Sequence, residues 1–281
     1  MDRNAQMRSA LLVVLAGVCW SFAGVLSRFT SWSSFSLAGY RSIIAVLLLG
    51  AIRKSFRPRN TLWNWIGALG VASTSAMFMV ANKLTSAANA IVLQYAMTAI
   101  VIVAQILFFH ARPRRMDVSA AVLVMVGVVL CFCQGLGRGQ FLGDLVAFGS
   151  AFTWAVVFLA ARMPGVDSLS YAYQGNLLAC LFLLCMPFDP AVAAAGPAGW
   201  IVPSVMGLCL GLGYVCFAMG MKSQLSPTIA AVVANVEPVL NPLWVLIVLG
   251  EAPGMLSFLG AAVVLVTVTV YSLKGAQNSN G

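Results

Sequence analysis

Long apolar segments recur along the whole chain and limit its fold more than any other feature. A transmembrane helix needs about 20 predominantly apolar residues to cross the hydrocarbon layer. Lipid offers no partner to unpaired backbone groups, and the chain lacks the strand alternation of a membrane barrel. The sequence therefore predicts an all-α integral membrane protein with ten transmembrane helices. The predicted spans are residues 9–27, 35–52, 63–83, 87–109, 118–134, 142–161, 169–187, 200–222, 227–249 and 255–273.

The composition agrees with a multi-pass protein of the cell (plasma or inner) membrane. The chain is 61% hydrophobic and 8% charged, whereas an ordinary soluble domain has roughly 25% charged residues. The segments between the predicted spans are short, which leaves no room for a soluble catalytic domain. With one histidine, His110, and no metal-ligand spacing among the cysteines, the sequence favours neither an enzyme nor a metal or cofactor site.

The positive charges are distributed unevenly between the connecting segments. The formal net charge is +9. If the segments are assigned alternately from a cytoplasmic amino terminus, twelve Lys and Arg residues fall on one side of the membrane. Only Arg28, Lys83 and Arg138 fall on the other, and Arg41 lies within a helix. This positive-inside bias predicts that both termini are cytoplasmic, and no nucleic-acid partner is needed to explain the basic residues.

The two halves of the sequence resemble each other. A shift of 140 residues places "LTSAANAIVLQYAMTAIVIVAQILFF" over "QLSPTIAAVVANVEPVLNPLWVLIVL" without a gap. Nearer the amino terminus the shift is slightly smaller, and Trp20 matches Trp154 while Tyr40 matches Tyr173. We therefore expect two five-helix copies, residues 1–138 and 139–281. Because five is odd, the second copy must cross the membrane in the opposite sense, as in many transporters.

Several of these stretches are similar to a known family. "AGVCWSFAGVLSRF", "YRSIIAVLLLG" and above all "EPVLNPLWVLIVLGEAPGMLSFLGAAVVL" resemble the EamA family of the drug/metabolite transporter superfamily. The resemblance implies a secondary transporter, often an exporter of amino acids or other small metabolites, with a cavity between its halves. The first copy departs from the pattern, with Ala111 in place of a hairpin glutamate and Met97-Thr98 in place of Glu-Pro.

The ninth predicted span contains an unusual group of polar residues and prolines. Glu237 lies ten residues into that span, about 15 Å along its axis and near the bilayer centre. Pro238 and Pro242 each remove a hydrogen-bond donor, so we expect a kinked or locally unwound helix, with Asn235 and Asn241 filling the gap. Glu237 stabilises this break by capping or pairing, carries the coupling proton, or contacts the substrate directly.

Arg41 and several aromatic residues are the other candidates for a binding site. Arg41 either extends to the headgroups or packs locally, or it faces the cavity. In the cavity it would bind a substrate carboxylate, or pair with Glu237 until substrate or a proton releases it. A two-fold arrangement of the copies would bring the matched aromatic residues toward one central space, although membrane aromatics also form interfacial belts. The predicted substrate-binding residues are Trp20, Tyr40, Arg41, Tyr95, Trp154, Tyr173, Gln174, Asn235, Asn241 and Trp244, with Glu237 as the proton-coupling residue.

The sequence thus favours a secondary transporter, in the export direction, for a small metabolite such as an amino acid. Its partners are then the bilayer, the small-molecule substrate and a proton as the coupling ion. Uptake of a choline-like quaternary ammonium compound through an aromatic cage is the alternative.

Overall fold

The computed structural model describes residues 3–110, 115–137, 140–222, 230, 233–234, 236–250 and 254–278, and these form helices joined by short connections. We number the α-helices in chain order. They are α1 (Arg3–Ser27), α2 (Ser34–Arg53), α3 (Leu62–Leu84), α4 (Ala87–Gln94), α5 (Met97–Phe109), α6 (Arg115–Gly137), α7 (Phe141–Ala160), α8 (Ser168–Ala179), α9 (Pro190–Ala193), α10 (Ile201–Met221), α11 (Val236–Leu249) and α12 (Met255–Asn278). Two 3₁₀ segments, Cys180–Phe188 and Pro197–Trp200, follow α8 and precede α10.

Seven helical segments of the described chain are long and apolar enough to cross a membrane, and three shorter apolar helices accompany them. The seven are Met7–Ser27, Ser34–Arg53, Leu62–Leu84, Ala87–Phe108, Phe141–Ala160, Ser168–Phe188 and Pro197–Met221. Large apolar side chains cover the outside of the bundle, and Phe108, Leu184 and Phe188 are each more than 70% exposed. This surface fits hydrocarbon rather than water, and the protein is an all-α membrane protein.

Short polar residues begin several of the helices. The side chains of Ser33, Thr61 and Ser86 accept hydrogen bonds from backbone N–H groups three residues later, at the starts of α2, α3 and α4. Such caps provide acceptors for N–H groups that have no partner within the helix. They fix where each helix begins, and therefore which turns of it reach the interior.

Helix packing follows the same pattern in the two halves of the chain. Helix α1 packs on α10 and α11, and α7 packs correspondingly on α3 and α4. Helix α2 packs on α10, and α8 packs on α3. Two further contacts, between α2 and α8 and between α6 and α12, join matched helices directly. The matched contacts suggest a structural repeat, and they place the interior where the first half meets the second.

One predicted span is interrupted at a point without proline or glycine. The span 87–109 was expected to be continuous, but it consists of α4 and α5 separated by a turn at Tyr95 and Ala96. Helix α11 begins at Val236, after a turn at Ala234, within the span expected to be kinked. With the 140-residue shift the turn at Ala234 corresponds to position 94, so the two turns lie within two residues of matched positions.

Asp189 connects the segment after α8 to the start of α2. Its carboxylate accepts hydrogen bonds from the backbone N–H of Ser33 at 2.7 Å and of Ala191 at 3.0 Å. Burial acts against the charged form, but hydrogen bonds from Ser36, Ser33 and Ala191 outweigh it and lower the pKa of Asp189. A carboxyl group whose pKa is lower in the folded protein than in the unfolded chain stabilises the fold at pH values above its ordinary pKa. This stabilisation is lost as the pH falls through the lowered pKa of the folded state.

We expect Asp189→Asn to lower the free energy of unfolding by about 1–2 kcal/mol at neutral pH, because a charged acceptor shared by two N–H groups is lost. The thermal midpoint of the purified protein, measured between neutral and acidic pH, reports the change. The difference from wild type should shrink as the pH falls. Asp167→Asn is the matched control, since its carboxylate accepts from Ser170 within one helix start. A loss of stability that is the same at every pH contradicts the assignment.

Candidate functional site

A small cavity lies between the halves of the bundle. Its volume is ≈ 50 Å³, whereas pockets for drug-sized ligands measure about 300–1,000 Å³. The space holds roughly three to five water molecules, so it is smaller than such a ligand needs. The lining residues are Trp20, Ala23, Arg41, Thr74, Ser75, Phe78, Gln94, Trp154, Leu210, Tyr214 and Glu237.

Arg41 is buried in the wall of this cavity, with 3% of its surface exposed. Its Nη2 donates to the Ser75 hydroxyl at 2.7 Å and to the Ser75 carbonyl at 3.4 Å. The Nε donor has no hydrogen-bond partner. Arg41 therefore points into the protein rather than toward the headgroups, and it keeps donor capacity that the surrounding described residues do not use.

Glu237 lies in the wall of the same cavity and is 4% exposed. Its Oε2 lies 2.5 Å from the hydroxyl of Tyr95, and that hydroxyl also lies 2.9 Å from the carbonyl oxygen of Ala234. Arg41 is held by Ser75 and makes no ion-pair contact with Glu237. The site thus contains a cation and an acid that line one space without neutralising each other by direct contact.

The matched tryptophans meet beside this pair. The rings of Trp20 and Trp154 are 5.2 Å apart in an edge-to-face arrangement, and Tyr214 lies 5.2 Å from Trp20. The indole N–H of Trp20 donates to the Leu210 carbonyl at 3.3 Å, and that of Trp154 has no partner. These packed aromatic rings form the apolar part of the cavity wall.

The matched tyrosines do not meet. Tyr40 packs on Trp32 and Trp200 and shares a 3.1 Å hydrogen bond with Ser204. Tyr173 donates to the Phe56 carbonyl at 2.7 Å, and the Arg53 guanidinium lies 4.6 Å from its ring centroid. The two tyrosines therefore sit near opposite ends of α2 and away from the cavity, so the expectation of one shared aromatic space applies only to the tryptophans.

Three other predicted binding residues, Gln174, Trp244 and Asn241, lie outside the cavity wall. Gln174 accepts from the Arg59 N–H at 3.1 Å. Trp244 stacks on Phe22 at 5.0 Å and donates to Ser21 at 3.0 Å. Asn241 is fully buried against Gly24, and neither of its amide atoms has a partner. Asn235 lies outside the described residues. The binding roles of these four residues remain predictions.

The structure adds polar wall residues that the sequence reasoning missed. Thr74 and Ser75 come from α3, and the Thr74 hydroxyl shares a 2.7 Å hydrogen bond with Thr153 of α7. Their signal was present in the sequence as the run "STS" at residues 73–75, near the middle of a predicted span. Hydroxyl groups at mid-depth often join neighbouring membrane helices.

Comparison with known proteins identifies relatives over the full chain. Residues 7–133 and 141–273 each match the model of the EamA-like transporter family. An uncharacterized transporter of Archaeoglobus fulgidus is 23% identical over 96% of this chain and 99% of its own length. The uncharacterized inner membrane transporter YicL of Salmonella typhimurium is 23% identical over 97% of both chains. One crystal structure superposes with a TM-score of 0.73 at 22% identity, covering 94% of this chain and 97% of the other.

We expect Gly213→Ala to disrupt the cavity wall, because a Cβ at this position would overlap the indole of Trp20. Displacing a packed aromatic ring should cost about 1–3 kcal/mol of stability. The thermal midpoint and the tryptophan emission spectrum measure the effect. Gly196→Ala is the control, since a Cβ there meets nothing within 4 Å. If both variants melt at the same temperature, the close approach of Gly213 to Trp20 is wrong.

Proposed function

Because the chain belongs to the EamA-like transporter family, we propose that it exports a small organic metabolite, such as an amino acid, by alternating access. That it is a multi-pass membrane transporter and not an enzyme follows from the family itself. The substrate class, direction and energy source are proposals. The observation that carries them is the unneutralised pair, Arg41 and Glu237, in the wall of one buried cavity.

The proposed architecture is ten transmembrane helices in two copies, residues 1–138 and 139–281, with both termini cytoplasmic. The matched helix contacts support two copies, and so do the turns at Tyr95–Ala96 and at Ala234, which lie within two residues of matched positions. The loop charges support opposite orientations of the copies. Relative rocking of two such copies would expose the cavity to each side of the membrane in turn.

The charges of the cavity support a substrate that carries both a carboxylate and an amino group. The free Nε donor of Arg41 can bind a carboxylate, and the acid of Glu237 can bind an ammonium group. The apolar wall of Trp20 and Trp154 would then contact the side chain of the substrate. Proton coupling through Glu237 completes the proposal, since an acid at mid-depth in a membrane protein commonly serves a transport pathway.

A choline-like cation receives less support from this geometry. An aromatic cage binds a quaternary ammonium through the faces of its rings. Here Trp20 and Trp154 pack edge to face on each other, and the cationic Arg41 lines the same cavity. Repulsion between two cations in a space of low dielectric would oppose such a ligand.

Counterflow of labelled amino acids into loaded proteoliposomes tests the function. We expect Arg41→Gln to weaken apparent affinity about tenfold or more, because charge-assisted hydrogen bonds to the carboxylate are lost. Arg115→Gln, at an exposed position of α6, is the control and should behave as wild type. Ion conductance without exchange of any metabolite would exclude the carrier mechanism.

Reporter fusions test the proposed orientation. A fluorescent protein fused after Gly281 should be bright, because it folds in the cytoplasm. Alkaline phosphatase fused in the connection between α6 and α7 should be active, because it matures only outside the cytoplasm. The reverse pattern would contradict the cytoplasmic termini, and two reporters on the same side would be incompatible with an odd number of spans in the second copy.

A further inference from the structure

A second and larger pocket lies at one end of the bundle. Its volume is ≈ 390 Å³, which falls within the range of about 300–1,000 Å³ typical of small-molecule sites. It is formed where α7 and α10 end and where α8 begins. Its polar lining consists of Arg162, Asp167, Ser168 and Lys222. In the proposed orientation of the chain this end faces the cytoplasm, because both cations belong to the basic side.

The pocket lies in line with the cavity between the halves. Along α7, Trp154 lines the cavity, Phe158 follows about one turn later, and Arg162 lines the pocket about one turn beyond. Along α10 the corresponding series is Tyr214, Phe217 and Lys222. The same two helices therefore form the wall of the cavity, an aromatic layer and the wall of the pocket, in that order.

Two phenylalanine rings separate the two spaces. The rings of Phe158 and Phe217 are 5.1 Å apart, and both side chains are fully buried. Phe158 packs on Trp154 at 5.3 Å, and Phe217 packs on Trp20 at 5.9 Å. The aromatic wall of the cavity thus continues to the floor of the pocket, and these two rings lie between a ligand in the pocket and the polar groups of the cavity.

The cations of this pocket lack the partners that their counterparts have in the first half. The repeat pairs Arg162 with Arg28. Lys222 and Lys83 lie at the ends of the matched helices α10 and α3. Arg28 donates to a backbone carbonyl at 3.5 Å, and Lys83 donates to another at 3.0 Å. In the described part of the chain, the side chains of Arg162 and Lys222 make no such bond and no ion pair, and both are exposed. They are therefore available to an anionic group.

An acid completes the pocket. Asp167 precedes α8, where its Oδ2 accepts from the Ser170 hydroxyl at 2.6 Å and its backbone N–H donates to Asn64 at 3.2 Å. Its Oδ1 accepts no hydrogen bond from the described residues. Cations and a carboxylate in one space match the two charges of an amino acid. The cavity contains the same combination in Arg41 and Glu237.

We propose that this pocket is a second substrate site, at which Arg162 and Lys222 bind the carboxylate of an amino acid and Asp167 binds its ammonium group. The inference rests on the proposed function, because an exporter takes its substrate from the cytoplasmic side. Charged groups around a pocket raise the local concentration of a complementary ligand. The substrate binds here first and reaches the cavity when Phe158 and Phe217 separate.

Equilibrium binding to the purified full-length protein in lipid nanodiscs tests the site without transport. The probe is a mixture of labelled protein amino acids, and the parent protein is Arg41→Gln, in which the cavity contributes little binding. We expect the parent to bind the probe. Adding Arg162→Gln and Lys222→Gln should weaken this binding about tenfold, because two charged donors to the carboxylate are lost. No binding to the parent, or unchanged affinity in the pocket variant, overturns the proposal.

Arg57→Gln with Arg59→Gln, added to the same parent, is the matched control. It removes two exposed cations from the same end of the bundle but outside the pocket. This variant should bind the probe as the parent does. Equal weakening in the two variants would assign the effect to general surface charge and would exclude a specific site. Thermal midpoints without ligand should agree among all these proteins, because the substituted side chains are exposed.

Competition with analogues distinguishes a zwitterion site from a general anion site, and it needs no substitution in the pocket. N-acetylated amino acids lack the ammonium group, and amino acid amides lack the carboxylate. Both should displace the probe from the Arg41→Gln parent about tenfold less well than the amino acids themselves. If the acetylated forms or inorganic phosphate compete equally well, the assignment of Asp167 is wrong and the zwitterion site is excluded.

The two proposals fail separately. Counterflow of amino acids together with wild-type binding in the pocket variant would remove the second site and leave the transport function. Binding that responds to the pocket variant and the analogues as expected, together with no counterflow of any metabolite, would remove the function and leave the binding site.

Discussion

Pro238 lacks an amide proton, and this one missing donor determines much of the interior. The Ala234 carbonyl, without its helical partner at mid-depth, cannot turn to lipid, so it must find donors inside the protein. It accepts from the N–H of Glu237 at 3.1 Å and from the hydroxyl of Tyr95 at 2.9 Å, and Tyr95 lies at the turn between α4 and α5. The two breaks are therefore in direct contact. Without a tyrosine at the first break, the second would leave a carbonyl with unused capacity beside a buried acid.

The cavity follows from keeping Arg41 and Glu237 apart. The Ser75 hydroxyl binds the guanidinium of Arg41, and the Tyr95 hydroxyl binds the acid of Glu237. Arg41 and Glu237 therefore form no direct ion pair. A direct ion pair would close the space and use the donors and acceptors that a ligand needs. The packed rings of Trp20 and Trp154 keep the apolar side of the space rigid, and the absence of a side chain at Gly213 lets Trp20 lie against α10.

The helices were easier to predict from the sequence than the site was. Hydropathy located spans such as 35–52 and 63–83 to within a few residues of α2 and α3, because an apolar window is a local property. The interruption at Tyr95 carries no proline or glycine, so its cause is tertiary and no local signal announced it. Repeat matching paired Trp20 with Trp154 usefully, since residues near the middle of matched helices come together. It misled for Tyr40 and Tyr173, since residues near helix ends are carried to opposite ends of the bundle.

The two ends of the bundle limit how the protein could open. At one end Ser33 binds Asp189 and Thr85 binds Asp144, and at the other Tyr173 binds Phe56 and Gln174 binds Arg59. Every one of these bonds joins the first half of the chain to the second. Each contributes on the order of 1 kcal/mol, or somewhat more where a carboxylate accepts. The proposed alternating access would break one set of these bonds while keeping the other, and the packing of α1 on α10 and of α7 on α3 would continue to hold the two halves together.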